Sequence, residues 1–240
     1  MREAGQVAAR ILKKLKAESL PGTSTLELSN LAEKEIKKAS MKPGFKTVED
    51  YQFAICTTVN EEVVHGIPSD YRLQEGDLLS LDLGVMNEGL HTDVAISFEV
   101  RAKKGQVSEK NKTFLETGER TLKMAVAMVK DGIRVGDISS LIQKEIEGQG
   151  YSIVKELTGH GVGYDLHEDP LIPGFGRKGT GPILEEGMTV AVEVIYTQGR
   201  PEIALLADGW TIVSQDKSLA AVFEDTVLVT KKGPVVLTQE

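Results

Sequence analysis

The segments LLSLDLGVM (78–86) and LHTDVAISFEV (90–100) decide how this chain is interpreted. Both are rich in apolar and β-branched residues, which predicts strands, and the Asn-Glu-Gly between them is typical of a tight turn. Each strand carries one aspartate among apolar neighbours, Asp82 in the first and Asp93 in the second. A single strand aspartate is more often an exposed residue than a functional one, but aspartate is depleted in strand interiors. A hairpin with a carboxylate on each arm therefore needs an explanation.

The pairing of the two arms supplies a candidate explanation. If Met86 pairs with Gly89, Asp82 lies directly opposite Asp93 on one face, with Cβ atoms about 5 Å apart. Like charges in that arrangement are destabilising unless a cation lies between them. The hairpin therefore predicts a metal site.

Composition sets limits on the class of protein. The chain has 240 residues and a net charge of −8, which argues against a general nucleic-acid binder because such a protein needs a basic face. The single cysteine, Cys56, excludes an intramolecular disulfide framework and a cysteine-based zinc site. We expect no signal peptide and no membrane span, because the first residues are charged and no apolar run approaches about 18 residues. These features favour a cytoplasmic protein.

Hydrophobic periodicity divides the chain into helices and strands. Helices are predicted at 3–18, from a cap at Thr23, Ser24 or Thr25 to about 39, at 107–130 and at 137–148. Strands are predicted at 53–59, at the two hairpin arms, and at 151–157, 188–197, 210–214 and 219–230. Loops are predicted at 43–51, over the Gly-rich stretch 158–170, and at 172–182.

The second half of the chain resembles the first at an offset of 110 residues. Gly22 falls on Gly132 and Ser29 on Ser139, and apolar positions of the two helices also coincide, although two amphipathic helices can match by chance. Each half then consists of two helices followed by strands. We expect one domain, 1–240, built from half-repeats of about 1–105 and 106–240.

Two glutamates extend the candidate site into the second half. Glu193 lies inside MTVAVEVIYT and Glu224 inside LAAVFEDTVLV, and both runs are typical of buried strands. An unpaired buried carboxylate costs several kcal/mol. A buried salt bridge is the alternative for Glu193, but its strand has no basic residue before Arg200.

The histidines are candidates for a ligand and for substrate contacts. His160 lies among glycines that permit close approach of a ligand, whereas His65 precedes a Gly-Ile-Pro turn and His167 precedes Glu168-Asp169-Pro170. Each of them alone is more often an ordinary surface or loop residue. His91 lies two residues before Asp93, so it either supports the site or only packs there.

Four carboxylates and one imidazole form an oxygen-rich ligand set. Such a set disfavours structural zinc and suits Mn(II), Fe(II) or Co(II), often as a pair bridged by carboxylates. A metal pair about 3.5–4 Å apart activates water and polarises a carbonyl group, which is the chemistry of hydrolysis. Cys56 has no nucleophile motif around it, so a core or pocket position is its expected role.

Five motifs together resemble type I methionine aminopeptidases. They are VNEEVVHGIP, LDLGV with HTDV, TGHGVG with LHEDP, GMTVAVEV, and DGWT with SLAAVFEDTVLVT, and they extend the resemblance over essentially the whole chain. The resemblance implies an α+β pita-bread fold, in which helix pairs flank a curved antiparallel sheet with two pseudo-symmetric halves. It also implies a metallo-aminopeptidase that removes the initiator methionine from nascent proteins and prefers a small second residue.

The resemblance assigns roles to individual residues. Asp82 would be a terminal ligand, Asp93 and Glu224 would bridge two divalent ions (Co²⁺, Mn²⁺ or Fe²⁺), and His160 and Glu193 would complete the set. His65 and His167 match catalytic, substrate-contacting histidines, and Glu193 matches the residue that transfers a proton. Trp210 and Cys56 match positions of the methionine pocket. Val194 replaces the usual proline and Leu166 a common aromatic residue.

The same resemblance implies partners and leaves two rival functions. Nascent polypeptide N-termini would be the substrates of a cytoplasmic monomer with no membrane or nucleic-acid partner, and a transient ribosome contact stays open. One rival is a related peptidase that cleaves X-Pro bonds, although such enzymes usually carry an extra N-terminal domain for which we expect no room. The other is a non-catalytic pita-bread binding protein, which would typically have lost metal ligands that this chain keeps.

Overall fold

The protein is described by a computed structural model that covers residues 1–102 and 108–239. The helices are α1 (Arg2–Glu18), α2 (Thr25–Lys38), α3 (Glu109–Met128) and α4 (Val135–Glu147). The strands of the first half are β1 (Lys42–Pro43), β2 (Cys56–Val59), β3 (Glu62–Val64), β4 (Leu78–Asn87) and β5 (Leu90–Glu99). Those of the second half are β6 (Ser152–Ile153), β7 (Thr158–Gly161), β8 (Glu168–Pro173), β9 (Thr189–Thr197), β10 (Ile203–Leu205), β11 (Ile212–Ser214), β12 (Ala220–Leu228) and β13 (Val235–Val236). None of the helices within the described ranges is long and apolar enough to cross a bilayer.

Helix α2 shows how local sequence sets an element boundary. Of the three candidate caps, Ser24 is the one used: its hydroxyl accepts from the Glu27 N–H, and the Glu27 carboxylate accepts from the Ser24 N–H. This reciprocal capping box satisfies two donors that the first turn would otherwise leave free. Leu28, Ala32 and Ile36 then recur at helical spacing and form the buried stripe.

The hairpin of β4 and β5 forms as predicted, but its predicted register is wrong by two residues. The strands pair from Leu78↔Glu99 to Asn87↔Leu90, which leaves a two-residue turn of Glu88 and Gly89. Both turn residues have positive φ, at 52° and 81°, and this matches the twist of the flanking strands. Because side chains alternate with a period of two, a shift of two residues keeps both aspartates on the same face.

The corrected register moves each aspartate away from the other. Asp82 pairs with Ala95, and Asp93 pairs with Gly84, so the two carboxylates are diagonal rather than directly opposed. Diagonal neighbours on one face of a sheet are still within reach of each other. The common face on which the metal hypothesis rests is therefore preserved.

Strands from both halves form one antiparallel sheet in the order β1-β4-β5-β12-β9-β7-β8, with β2, β6 and β13 attached to its sides. The two halves meet between β5 and β12, where the register joins Ala95 with Glu224. A second, smaller sheet in the order β10-β11-β3 lies beside it. This small sheet holds the segments that lead into His65 and Trp210.

The large sheet has an apolar face and a polar face. In β4, Leu79, Leu81, Leu83 and Val85 pack with α1 and α2, and in the second half Val190, Val192, Val194 and Tyr196 pack with α3 and α4. The intervening residues of these strands point to the opposite face. Asp82 and Glu193 belong to this second set, and strand pairing places Asp93 of β5 and Glu224 of β12 on the same face.

The internal repeat has structural counterparts. Gly22 and Gly132 both adopt positive φ, and their N–H groups donate to Leu73 O at 2.7 Å and to Leu184 O at 2.9 Å. Ser29 and Ser139 are both buried in the matching helices. These correspondences support our proposal of one domain with two half-repeats. Their predicted boundary at 105/106 lies outside the described residues.

Other boundaries differ from the sequence-based prediction. The Gly-rich stretch is not a loop throughout, because β7 and the start of β8 lie within it and place His160 on a strand. Its glycines permit this pairing: a Cβ at Gly161 would lie 2.3 Å from Asp169 O. The strand predicted at 151–157 is reduced to Ser152–Ile153. The third helix begins at Glu109, and the predicted start at residue 107 lies outside the described residues.

Gly5 provides a test of the packing between α1 and the C-terminal tail, which comprises residues 237–239 after β13. A Cβ at this position would lie 2.1 Å from Leu237 O, which is far inside contact distance. Gly5→Ala should therefore lower the free energy of unfolding by about 1–3 kcal/mol, as overpacking does. Helix propensity alone would raise it by about 1 kcal/mol, so the sign decides between the two effects. Gln6→Ala is the control, and chemical denaturation is the measurement; a stabilised Gly5→Ala would contradict the contact.

Candidate metal centre

One row of paired residues crosses the polar face of the large sheet. It runs Cys56–Asp82–Ala95–Glu224–Glu193, each residue paired with the next across neighbouring strands. Glu224 and Glu193 are therefore the carboxylates that face each other directly, in the arrangement predicted for the hairpin. Ala95 separates Asp82 from Glu224, and its small side chain leaves space between the two acidic groups.

A second row lies two residues further along the strands. It runs Gly84–Asp93–Thr226–Ala191–His160, in which Thr226 contacts Asp93 through its hydroxyl. Asp93 thus lies beside Ala95 of the first row, and His160 extends the cluster beyond Glu193. Apart from the facing pair Glu224 and Glu193, small or uncharged side chains separate the acidic residues, and all four carboxylates share one face of the sheet.

The distances within the cluster suit a metal ion. One ligand atom from each of Asp93, His160 and Glu224 lies within 4.8 Å of the other two. His160 Nε2 lies 3.3 Å from Glu193 Oε1. His160 Nδ1 lies 2.9 Å from Gly161 O, and it must be the donor because a carbonyl only accepts. That bond leaves Nε2 available for a metal ion, which is the usual arrangement of a metal-binding histidine.

The electrostatics of the cluster are unfavourable without a cation. Burial, followed by the charge of Glu193, raises the pKa of Asp82 to about 7. Burial and the neighbouring carboxylates raise the pKa values of Asp93 and Glu224 well above their usual range. Burial opposes the charged form of His160, but its hydrogen bond to Glu193 and the charge of that residue raise the pKa of the imidazole.

Two buried carboxylate oxygens, Asp82 Oδ1 and Glu224 Oε1, have no hydrogen-bond partner in the described structure. Buried polar atoms in proteins nearly always have a partner, so these two are candidate ligand atoms. A divalent cation would satisfy both oxygens and offset the repulsion between the carboxylates. The donor set therefore fits a divalent metal.

His65 and His167 lie at the border of the cluster. His65 adopts a left-handed φ of 58°, and the next residue, Gly66, lies so close to β2 that a Cβ would be 2.2 Å from Thr57 O. Strained backbone of this kind is typical of functional positions. The His167 ring packs edge-on against His160 at 4.4 Å between centroids. Burial lowers the pKa of His65, and burial with the charge of His160 lowers that of His167 to about 4, so both side chains are neutral at pH 7.

The other end of the cavity is apolar and aromatic. Tyr51 is its centre: the ring packs against Trp210 at 5.0 Å and Phe45 at 6.4 Å, and the hydroxyl donates to Ile55 O. Cys56 and Leu166 are buried in the same cluster. An apolar side chain would bind there.

All nine predicted site residues line this one cavity of about 240 Å³. They are Asp82, Asp93, His160, Glu193, Glu224, His65, His167, Cys56 and Trp210. His91 is buried outside the lining, where its N–H donates to Gly163 O at 2.8 Å. It therefore contacts the segment that precedes His167 rather than the cavity.

Sequence reasoning missed the aromatic wall of the cavity, which includes Phe45 and Tyr51, because these residues lie in the loop predicted at 43–51. The sequence of β4, which packs against this loop, contained a signal that could have indicated the aromatic wall. Gly84 interrupts an otherwise apolar strand, and a glycine in a strand interior often marks close approach by another group. A Cβ at Gly84 would lie 2.8 Å from the Phe45 ring, so the glycine makes room for this wall of the cavity.

Comparison with known proteins agrees with this geometry. Residues 1–231 match the model of metallopeptidase family M24. The chain is 41% identical over 239 residues to methionine aminopeptidase 1 of Bacillus subtilis, covering 100% of this chain and 95% of that protein. A methionine aminopeptidase of Clostridium perfringens is 38% identical, with 99% and 94% covered.

Solved structures extend the comparison to three dimensions. Methionine aminopeptidase of Thermotoga maritima has a TM-score of 0.96 at 39% identity and covers 100% of this chain and 95% of its own. Prolidase of Pyrococcus furiosus has a TM-score of 0.80 at 24% identity with 63% of its chain covered, which shows the shared fold alone. The α+β pita-bread fold is thereby confirmed.

A buried cluster of carboxylates and imidazole beside an apolar cavity defines a metal-dependent hydrolase. The chain belongs to metallopeptidase family M24 and is a metallo-aminopeptidase. The resemblance to methionine aminopeptidases is confirmed.

Glu224→Gln tests two effects of this carboxylate separately: its repulsion with the neighbouring carboxylates in the metal-free protein, and its contribution to stabilisation by bound metal. Since the fold raises the pKa of Glu224, its ionised form destabilises the metal-free protein at neutral pH, and the neutral amide should leave the metal-free melting temperature unchanged or higher. The wild type with metal at about 100 times Kd should gain about 2.7 kcal/mol, or roughly 5–10 °C. The variant should lose most of that gain. Calorimetry with and without Mn(II) measures both; a destabilised metal-free variant would contradict the repulsion.

Proposed function

We propose that this protein removes the N-terminal methionine from nascent polypeptides with two divalent metal ions. The observation that carries the proposal is a single cavity with two unlike ends. One end holds the carboxylates and imidazole that fit divalent metals, and the other is an apolar, aromatic pocket suited to a thioether side chain. An N-terminal methionine residue fits both ends of the cavity, because its amine and carbonyl group suit the metal-binding end and its thioether side chain suits the apolar end.

Five side chains would hold the ions. Asp82 would be a terminal ligand, Asp93 and Glu224 would bridge the ions, and His160 and Glu193 would complete the set. The proximity of ligand atoms from Asp93, His160 and Glu224, within 4.8 Å of one another, supports the central part of this assignment. When bound, the ions would activate water, polarise the scissile carbonyl group and bind the free amine of the substrate. We expect Co²⁺, Mn²⁺ or Fe²⁺ for this oxygen-rich set.

The remaining polar side chains act on the substrate. Neutral His65 and His167 donate hydrogen bonds to the scissile amide and to the oxyanion that develops from its carbonyl group. The low pKa values of both imidazoles support this role, because a neutral ring donates without adding charge beside the metal site. Glu193 accepts a proton from the attacking water and passes it to the leaving amine.

The cavity also supports selectivity at the second residue of the substrate. Beyond the carboxylates its walls are formed by Leu157, Ile195 and Val222, which are branched and partly or fully buried. The cavity volume of about 240 Å³ is below the 300–1,000 Å³ or so of typical small-molecule sites. A small second residue should therefore be preferred.

The proposed substrate has consequences for location and partners. Nascent polypeptide N-termini place the reaction in the cytoplasm, where a monomer with one complete site suffices. A transient ribosome contact would raise the local concentration of substrate, but the reaction does not require it.

The proposed activity is tested by adding Mn(II), Fe(II) or Co(II) to metal-free protein with two substrates. We expect methionine release from Met-Ala-Ser and no cleavage of an X-Pro peptide, measured by chromatography of the products. Cleavage of the X-Pro peptide alone would indicate a prolidase-like function, and no cleavage with any metal would reject both.

The bridging roles are tested by Asp93→Asn and Glu224→Gln, which each remove one charged ligand. Both variants should lose at least about 100-fold in turnover, and the number of bound metal ions per chain should fall, as mass spectrometry of native protein measures. Asp225→Asn is the matched control, because Asp225 faces away from the site and accepts from Thr238 Oγ1 at 2.7 Å. Wild-type turnover in either ligand variant would overturn the assignment.

A further inference from the structure

We propose that Thr226 is a positioning residue that holds the backbone of Asp93 for metal binding through its side-chain hydroxyl. The inference rests on the proposed role of Asp93 as a metal ligand. Thr226 Oγ1 accepts from the Asp93 N–H at 2.8 Å and donates to Asp93 O at 2.7 Å. One hydroxyl therefore satisfies both backbone groups of the ligand residue, and Thr226 is fully buried while doing so.

The position of this contact in the sheet explains its importance. The two halves of the chain meet between β5 and β12, and in the described structure the ladder between these strands consists of the pair Ala95↔Glu224. Asp93 and Thr226 lie opposite each other, two residues along the strands from the pair Ala95↔Glu224. Ordinary strand pairing at this position would use the backbone N–H and C=O groups of both residues. Here the side-chain hydroxyl of Thr226 makes the two hydrogen bonds to Asp93 that the Thr226 backbone would otherwise make.

The backbone of Thr226 is engaged elsewhere, which is why the hydroxyl is needed. Its N–H donates to Thr238 Oγ1 at 3.1 Å, and its carbonyl oxygen accepts from the Leu237 N–H at 2.8 Å. The C-terminal tail thus takes the partners that β5 would otherwise have. Without the Thr226 hydroxyl, Asp93 would have a buried N–H and C=O with no partner, and such groups are costly.

The boundary between β5 and β12, called the seam below, has a second hydroxyl contact. It is related to the first by pseudo-two-fold symmetry. Ser97 lies two residues after Ala95 as Thr226 lies two after Glu224. Ser97 Oγ accepts from the Val222 N–H at 2.9 Å and donates to Val222 O at 2.8 Å. The two contacts have the same chemistry, but the backbone that Ser97 holds belongs to no metal ligand.

This symmetry supplies a matched pair of variants. Thr226→Val keeps the β-branched shape and removes the hydroxyl, so we expect metal affinity to fall by about 10–100-fold, as for other residues that orient a ligand. The absorption spectrum of bound Co(II) should change as well, because the ligand geometry changes. Ser97→Ala removes the equivalent hydroxyl at the same seam and should leave the spectrum and the affinity unchanged. Thr226→Ser should restore both.

The measurements are isothermal titration of metal-free protein with Co(II) and the visible spectrum of the complex, with circular dichroism as the check on folding. An unchanged spectrum and affinity in Thr226→Val would overturn the inference. So would equal losses in Thr226→Val and Ser97→Ala, because these would indicate a general weakening of the seam. A wild type that binds no Co(II) would instead reject the proposed metal centre.

A second variant covers the case in which Thr226→Val does not fold. Thr226→Cys keeps a weak donor and acceptor at the same position, so the protein should fold while metal affinity falls by a smaller factor. Its Co(II) spectrum should also differ from that of the wild type. Wild-type affinity and spectrum in Thr226→Cys would overturn the inference.

Discussion

The clustering of four carboxylates on one face of a sheet, two buried and two half-buried, is the constraint on which the rest of this structure depends. Each of them would be costly alone, and burial and mutual repulsion raise the pKa values of Asp82, Asp93 and Glu224. A divalent cation would offset this repulsion, provided that the side chains converge on one space. The two rows of paired residues place all four carboxylates on the same face, and these rows need strands from both halves of the chain.

The two faces of the large sheet have different roles: one packs against the helices and stabilises the fold, and the other carries the site residues. Leucine and valine side chains of β4 and β9 pack against the helices, and the residues between them point to the site. The helix side can therefore be close-packed, while the opposite side tolerates strain, unpaired oxygens and a cavity. The small sheet of β10, β11 and β3 adds the wall that carries His65 and Trp210.

Sequence periodicity predicted the helices, the long strands and the common face of Asp82 and Asp93, because these depend on local pattern. Periodicity did not predict the register of the hairpin. The register depends on which two residues form the turn, here Glu88 and Gly89, and their φ values are shared by several turn types. The aromatic wall at Phe45 and Tyr51 depends on contacts between distant segments. Thr226 was missed because a strand threonine is common, and only the engagement of its backbone by the tail gives its hydroxyl a special position.

The C-terminal tail has a consequence for when the enzyme becomes functional. Leu237 and Thr238 occupy the backbone of Thr226, whose hydroxyl in turn holds Asp93, a residue 133 positions earlier than Thr226 in the chain. A chain still in synthesis contains the hairpin long before it contains β12 or the tail. The contacts that hold Asp93 in place therefore cannot form until β12 and these later residues have been made.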